Sequence, residues 1–345
     1  MPRRFRLAAT AMTAATATAL LLGGCSAATS TDAATEAATD AAAEAAASAP
    51  ASAGYPLTLM NCGTEVVVPA EPERVLTIKS STTELMLALG LGDRLVGSAF
   101  LDGPLPASLA APGAGLTVIS DFLPGPEATL ALTPDFIYGG WESNFSADGA
   151  GERSTLSALG VGSYVSPAAC KGDFMPDPLT FDTVFAEITE AGAIFGATDA
   201  AATLVSALES DLAALDPVSD TETTALWYSS GTTTPYVGAG IGSPAMIMQA
   251  AGLTNIFQDV HDTWSSVGWE SVIEANPDVI VLVDVTWNTA ADKITTLETS
   301  AATRELDAVV NGRYIVLPFA STEAGIRNVE AAASTIDQLA AFDRE

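Results

Sequence analysis

The 345-residue sequence holds 13 Lys and Arg against 42 Asp and Glu, a formal charge of −29, and 48% hydrophobic residues. So acidic a chain lacks the basic patches that nucleic acid or an anionic lipid surface requires, while its apolar content suffices for real cores. Its single histidine, His261, argues against a zinc or manganese cargo, which calls for several imidazoles beside carboxylates.

Arg3, Arg4 and Arg6 precede a short apolar run to Leu22, and "LLGGC" closes at Cys25. A basic start, a short apolar stretch broken by threonines and small residues before a cut predict a secretory leader over 1–24. The ending resembles the lipobox of bacterial lipoproteins, which implies acylation of Cys25. The alternative is an ordinary cut nearby with Cys25 incidental. From 25 to 54 the chain is nearly all Ala, Ser, Thr, Asp and Glu, too polar to offset ordering entropy, and reads as a disordered tether. The expected location is the outer face of the cytoplasmic membrane, held by lipid alone. With Cys25 acylated, Cys62 and Cys170 remain, an even pair in an oxidising compartment, and a disulfide is expected. The alternative is two buried thiols.

From residue 55 onward, β-branched runs alternate with helical stretches. Strands are predicted at 74–80, 94–100, 116–120, 135–140 and 162–166, with helices at 82–91, 125–132 and 151–159. Such alternation predicts a parallel sheet covered on both faces. Segment 180–218 has no strand signal; its apolar residues recur at helical spacing, and Gly192 and Gly196 mark a bend or a break between two helices. Alternation then resumes: strands at 223–230, 235–240, 277–284 and 313–319, helices at 243–252, 269–275, 291–298 and 328–342. The expected class is α/β, with Rossmann-like lobes over 55–179 and 219–345 joined by the helical segment 180–218.

In open α/β sheets, ligands bind at the carboxyl ends of strands. The residues just past each predicted strand are therefore the candidates. Lys79, Ser80, Ser81 and Thr82 follow the first strand, Trp141, Glu142 and Asn144 the fourth. Tyr236 follows the turn after 223–230, Trp287 and Asn288 follow 277–284, and Arg327 comes after the last. Ser80–Thr83 also form a helix start, whose free N–H groups favour an anion. The plainer reading is N-capping by Ser81 or Thr82 alone. Trp141, Tyr236 and Trp287 are favoured to face the cleft, with Trp264 a further aromatic candidate. Trp227 and Tyr228 fall on opposite faces of one strand, so at least one is buried. His261 either bonds a ligand or holds its own loop, and Arg327 either meets an anion or is a surface charge.

"ERVLTIKSSTTELMLALGLGDRLVGSAF" (73–100), "FDTVFAEITEAGAIFGATDAA" (181–201), "AAGLTNIF" (250–257) and "WESVIEANPDVIVLVD" (269–284) resemble, in order, the substrate-binding proteins of cobalamin- and siderophore-type ABC importers. The resemblance implies two lobes on a long rigid connecting helix, a monomer, no cofactor, no catalysis and delivery of a solute to an ABC permease. It also implies that Glu84 docks on permease arginines; the matching acid of the second lobe is missing, since "SPAMIMQAAG" carries only Gln249. Three further stretches, 138–156, 224–244 and 260–270, resemble a subgroup assigned to the lactyl-phosphodiester precursor of the 8-hydroxy-5-deazaflavin coenzyme. That implies an anionic, aromatic ligand, with a ferric siderophore or a corrinoid as the alternative. A surface scaffold or a carboxylate hydrolase is a third class, although "G-x-S-x-G", "H-E-x-x-H" and "G-K-[ST]" are absent from the sequence.

Overall fold

The computed structural model describes residues 54–217 and 223–342, so the leader, Cys25 and the tether up to residue 53 lie outside the described residues. Among the described residues no helix is long and apolar enough to cross a membrane.

The first element is a hairpin of β1 (Leu57–Asn61) and β2 (Thr64–Val68). Cys62 and Gly63 between them have φ of 48° and 73°, and positive φ at both central residues is what a type I′ turn needs. This hairpin is absent from the predicted strands, because Cys-Gly is not one of the usual Asn, Asp or Gly turn pairs. Cys62 is joined to Cys170 with their Cα atoms 5.1 Å apart.

The first lobe runs β3 (Val75–Ile78), α1 (Ser80–Ala88), β4 (Leu95–Ala99), β5 (Val118–Ser120), α2 (Pro126–Ala131), β6 (Phe136–Gly139), α3 (Arg153–Ala158) and β7 (Gly162–Val165). Its five strands are all parallel, in the order β5-β4-β3-β6-β7. Short runs such as Val-Leu-Thr-Ile are buried along their whole length because helices cover both faces. Alternate residues go to opposite sides: Leu76, Ile78 and Ile137 to one core, Val75, Phe136 and Tyr138 to the other.

Two helices, α4 (Phe181–Ile194) and α5 (Thr198–Ala213), connect the lobes. The single rigid helix implied by resemblance is thus corrected to a pair packed on each other. The break falls at Gly196, whose φ of 65° suits glycine, while Gly192 is where the helices touch. A Cβ at Gly192 would stand 2.4 Å from that of Ala201.

The second lobe runs β8 (Thr224–Ser230), β9 (Tyr236–Gly238), α6 (Ser243–Ala250), β10 (Thr254–Asn255), β11 (Trp264–Ser266) and α7 (Trp269–Ala275). It continues with β12 (Val279–Asp284), α8 (Ala290–Thr299), α9 (Asp307–Val310), β13 (Tyr314–Pro318), α10 (Phe319–Thr322) and α11 (Asn328–Phe342). The sheet order is β11-β9-β8-β12-β13, with β10 also beside β8. The β8, β12 and β13 strands are parallel, whereas β9 and β11 form an antiparallel ribbon at one edge. Trp227 and Tyr228 are both buried, one in each core of this lobe. Met246 of α6 and Val329 of α11 reach across to the core containing Phe185 and Ile188 of α4, so apolar packing as well as the connector ties the lobes together.

Candidate functional site

Residues from the carboxyl ends of both sheets meet in a cavity of about 250 Å³. Trp141, Ala169 and Lys171 come from the first lobe; Tyr236, Trp264, Phe319 and Glu323 come from the second. A narrow extension of about 70 Å³ reaches Ser81 and Ser166 on one side and Ser243 and Thr263 on the other. A larger open groove, about 960 Å³, runs between β2 and α3 and is lined by first-lobe residues only, so it is not the inter-lobe cleft.

The second-lobe wall follows from register. Tyr236 stands opposite Ser266, and Trp264 opposite Gly238, which places Tyr236 and Trp264 diagonally on one face of the β9–β11 ribbon. Their rings stack, 5.9 Å between centroids and 15° between planes. The first-lobe wall is Trp141, held from three directions. Its indole lies over the Lys79 ammonium at 3.8 Å, meets Phe100 edge-on, and donates Nε1–H to Glu323 of the second lobe at 2.8 Å. The loop carrying Lys171 is fixed by the Cys62–Cys170 bond and by the Lys171 N–H, which donates to Glu142 at 2.6 Å.

The hydroxyl-rich stretch before α1 is not an open anion seat. Lys79 is fully buried and ion-paired with Asp102, which stands just past β4. The other Asp102 oxygen accepts the Ser80 N–H at 3.2 Å, and Ser80 Oγ accepts the Asp102 N–H at 2.8 Å. The chain thus supplies its own carboxylate to the helix start. Burial raises the Asp102 pKa, and Lys79 opposes that rise. Thr82 and Thr83 donate back to the Ile78 and Lys79 carbonyls. Of the four hydroxyls only Ser81 lines the cleft. Lys79, Ser80 and Thr82 are therefore corrected from ligand contacts to internal supports.

Glu84 is buried and accepts from Arg327 of the second lobe at 3.4 Å. Burial lifts its pKa to about 7 against the pull of that guanidinium. Neither residue faces the cavity, so Arg327 does not present a free cation there, and Glu84 is not a surface acid. Asn144 is buried, accepting the Trp141 N–H at 2.9 Å, and so orients Trp141. Glu142 orients the Lys171 loop. His261 pairs with Asp177 at 2.8 Å, a bond between the second lobe and the segment before α4, and that bond raises its pKa. Trp287 is 71% exposed, and neither it nor Asn288 lines the cavity. The loop between β12 and α8 points them elsewhere, with Lys293 pinning the Val283 and Asn288 carbonyls beneath.

Lys171, Phe319, Glu323 and Asp102 are absent from the sequence-derived candidates. The strand-end rule reaches them too: Asp102 follows β4, Lys171 follows β7, and Phe319 and Glu323 follow β13. Acids are so numerous in this chain that neither carboxylate stood out. Among the described residues no group of three or more His, Cys, Asp or Glu is placed to hold a metal ion.

Comparisons with known proteins agree with this geometry. Residues 75–320 match the family described as periplasmic binding protein. The Vitamin B12-binding protein of Yersinia pestis (strain Pestoides F) is 28% identical over 225 residues, 63% of this chain and 72% of that protein. The solved structure of an ABC-type Fe3+-hydroxamate transport system from Saccharomonospora viridis is 27% identical, with a TM-score of 0.69 over 83% of this chain and 99% of that one. A periplasmic binding protein from Veillonella parvula shares the fold at a TM-score of 0.73 and 24% identity, covering 82% of this chain and 97% of its own. A family match across most of both lobes, on the architecture just described, makes this chain a member of the periplasmic binding protein family.

Proposed function

We propose that this protein captures a ring-bearing solute or metal chelate between its lobes, a ferric siderophore or a corrinoid, and hands it to an ABC permease outside the cytoplasmic membrane. One observation carries the reading: the cavity between the lobes is faced by Trp141 on one side and the stacked Tyr236–Trp264 pair on the other. Aromatic walls with a few convergent polar groups are the usual make-up of small-molecule sites. The vitamin B12 and Fe3+-hydroxamate relatives support the ligand class. At about 250 Å³ the cavity is smaller than the range of ~300–1,000 Å³ usual for ligand pockets, so such a solute enters by parting the Trp141–Glu323 bond.

A second reading, the anionic deazaflavin precursor, draws on the same flat aromatic walls. Its phosphodiester would meet Glu323, and among the described residues Lys171 is the one basic residue lining the cavity. In this reading of the family, lipid on Cys25 tethers the domain, and Glu84 reaches a permease arginine only after Arg327 leaves it.

The test is tryptophan fluorescence and thermal unfolding of the purified chain with a ferric hydroxamate, cyanocobalamin and the deazaflavin precursor in turn. Quenching and a raised Tm with one of the first two is the expected result, because a ligand that binds only the folded state stabilises it. Trp264→Ala should weaken that binding about tenfold or more, the loss of one aromatic contact. Binding of the deazaflavin precursor alone would favour the second reading, and a response to none would remove the transport role.

A further inference from the structure

We propose that Glu323 selects the ligand by charge: it admits solutes that bring an ammonium or N–H donor to its side of the cleft and turns away those that bring a carboxylate. This goes further into the site of the proposed function and rests on it.

The charges around the cleft are unevenly settled. Lys79 is neutralised by Asp102, and Arg327 by Glu84, each within the chain. Glu323 lines both the cavity and its narrow extension. Among the described residues it has no ion-pair partner; the one hydrogen bond to its side chain comes from the neutral Trp141 Nε1–H, on one of its two oxygens. An ionised carboxylate can accept about four hydrogen bonds, so most of its capacity faces the void. Enclosure in protein disfavours its charge, and Asp102 does so too; Lys79, the Trp141 bond and Lys171 partly offset this. A donor delivered by the ligand supplies stabilisation that the protein does not, while an anion adds repulsion in a half-buried place where water screens it less than at the open surface. Lys171 also lines the cavity, but its side chain is exposed whereas Glu323 is half-buried, so solvent screens the lysine charge more.

The same geometry gives Glu323 a second consequence. It is the second-lobe partner of Trp141, so the group that reads the ligand also holds the two cleft walls together. A ligand donor that takes over Glu323 replaces the indole N–H and leaves the carboxylate satisfied as the walls part.

Matched probes test this. Ferric desferrioxamine B, with its free ammonium, is compared with its N-succinylated form, and cyanocobalamin with its side-chain monocarboxylic acid. Binding to the wild type and to Glu323→Gln is followed by tryptophan quenching, with unfolding curves to confirm that the variant folds. In the wild type the member lacking the carboxylate should bind about tenfold or more tightly, within whichever pair binds. In Glu323→Gln the two members should come within about twofold. Equal binding of both members by the wild type, or tighter binding of the anionic one, would overturn the selection while leaving the solute-binding role standing; that ratio decides the matter even should the variant misfold. An unchanged ratio in a folded Glu323→Gln would overturn it as well. Silence of all four probes with both proteins would overturn the siderophore and corrinoid reading on which the selection rests, and the selection with it.

Discussion

The two lobes treat the ends of their strands in opposite ways. In the first lobe the central exit, after β3, is closed: Lys79, Ser80, Thr82, Thr83 and Asp102 bond one another, and their polar groups are consumed inside the protein. In the second lobe the edge carries an antiparallel ribbon that places the stacked Tyr236 and Trp264 in the cavity wall, and Glu323 is left with a single neutral donor. Strand-exit position therefore does not by itself make a ligand contact. What decides is whether a neighbouring exit supplies a partner. β4 delivers Asp102 to Lys79, but among the described residues no strand of the second lobe delivers a cation to Glu323.

The sharpest way to break that comparison is to unseal the first lobe. Asp102→Ala strands a buried ammonium, and removing one member of a buried ion pair costs about 3–5 kcal/mol. Urea unfolding should record that loss, and adding Lys79→Met should recover most of it by removing the orphaned charge. A cost below about 1 kcal/mol would mean that the seal is not a stabilising feature.

A second test uses pH on the first lobe's attachment to its connector. Glu187 of α4 is buried, accepting from the Tyr138 hydroxyl and from Ser166 Oγ at 2.8 Å, and burial raises its pKa to about 7. Its folded-state pKa lies above the unfolded value, so its contribution to stability is full below about pH 4.5 and is lost as pH rises through about 7. Glu84 behaves alike, since its pKa too is lifted to about 7 by burial. Unfolding free energy should therefore fall between about pH 5 and pH 8, by up to about 3 kcal/mol for each group. Glu187→Gln keeps an acceptor for Tyr138 and should flatten about half of that slope. A slope unchanged in the variant would assign the pH dependence elsewhere.

The smallest expected effect sharpens the second lobe's side. Trp287 is exposed and away from the cavity, so Trp287→Ala should alter stability by no more than about 0.5 kcal/mol and leave the affinity for the chosen chelate unchanged. A tenfold loss of affinity would bring that loop back into the site.

Much of the architecture was legible in the sequence because parallel strands buried on both faces write themselves as uninterrupted apolar runs, as in "VIVLVD" of β12. The β1–β2 hairpin and the three-residue β11 were missed for local reasons: one turns on an unusual Cys-Gly pair, and the other is too short to show a period. Within the site, position and chemistry point to Trp141, Tyr236, Trp264 and Ser81, and these four line the cleft. In the sequence Lys79, Glu84 and Arg327 look like available charges, since nothing local announces their partners. Glu84 and Arg327 are 243 residues apart, and Trp141 and Glu323 are 182 apart.

The sequence by itself determined the alternating strands and helices, the two lobes, the helical segment between them and the strand ends at which function would be sought. These follow from the period of apolar residues, a short-range property that each segment carries alone. Only the tertiary structure decided which polar groups at those ends remain open. Satisfaction of a buried charge depends on what lies within a few ångströms in space, and in this chain those neighbours come from other strands and from the other lobe.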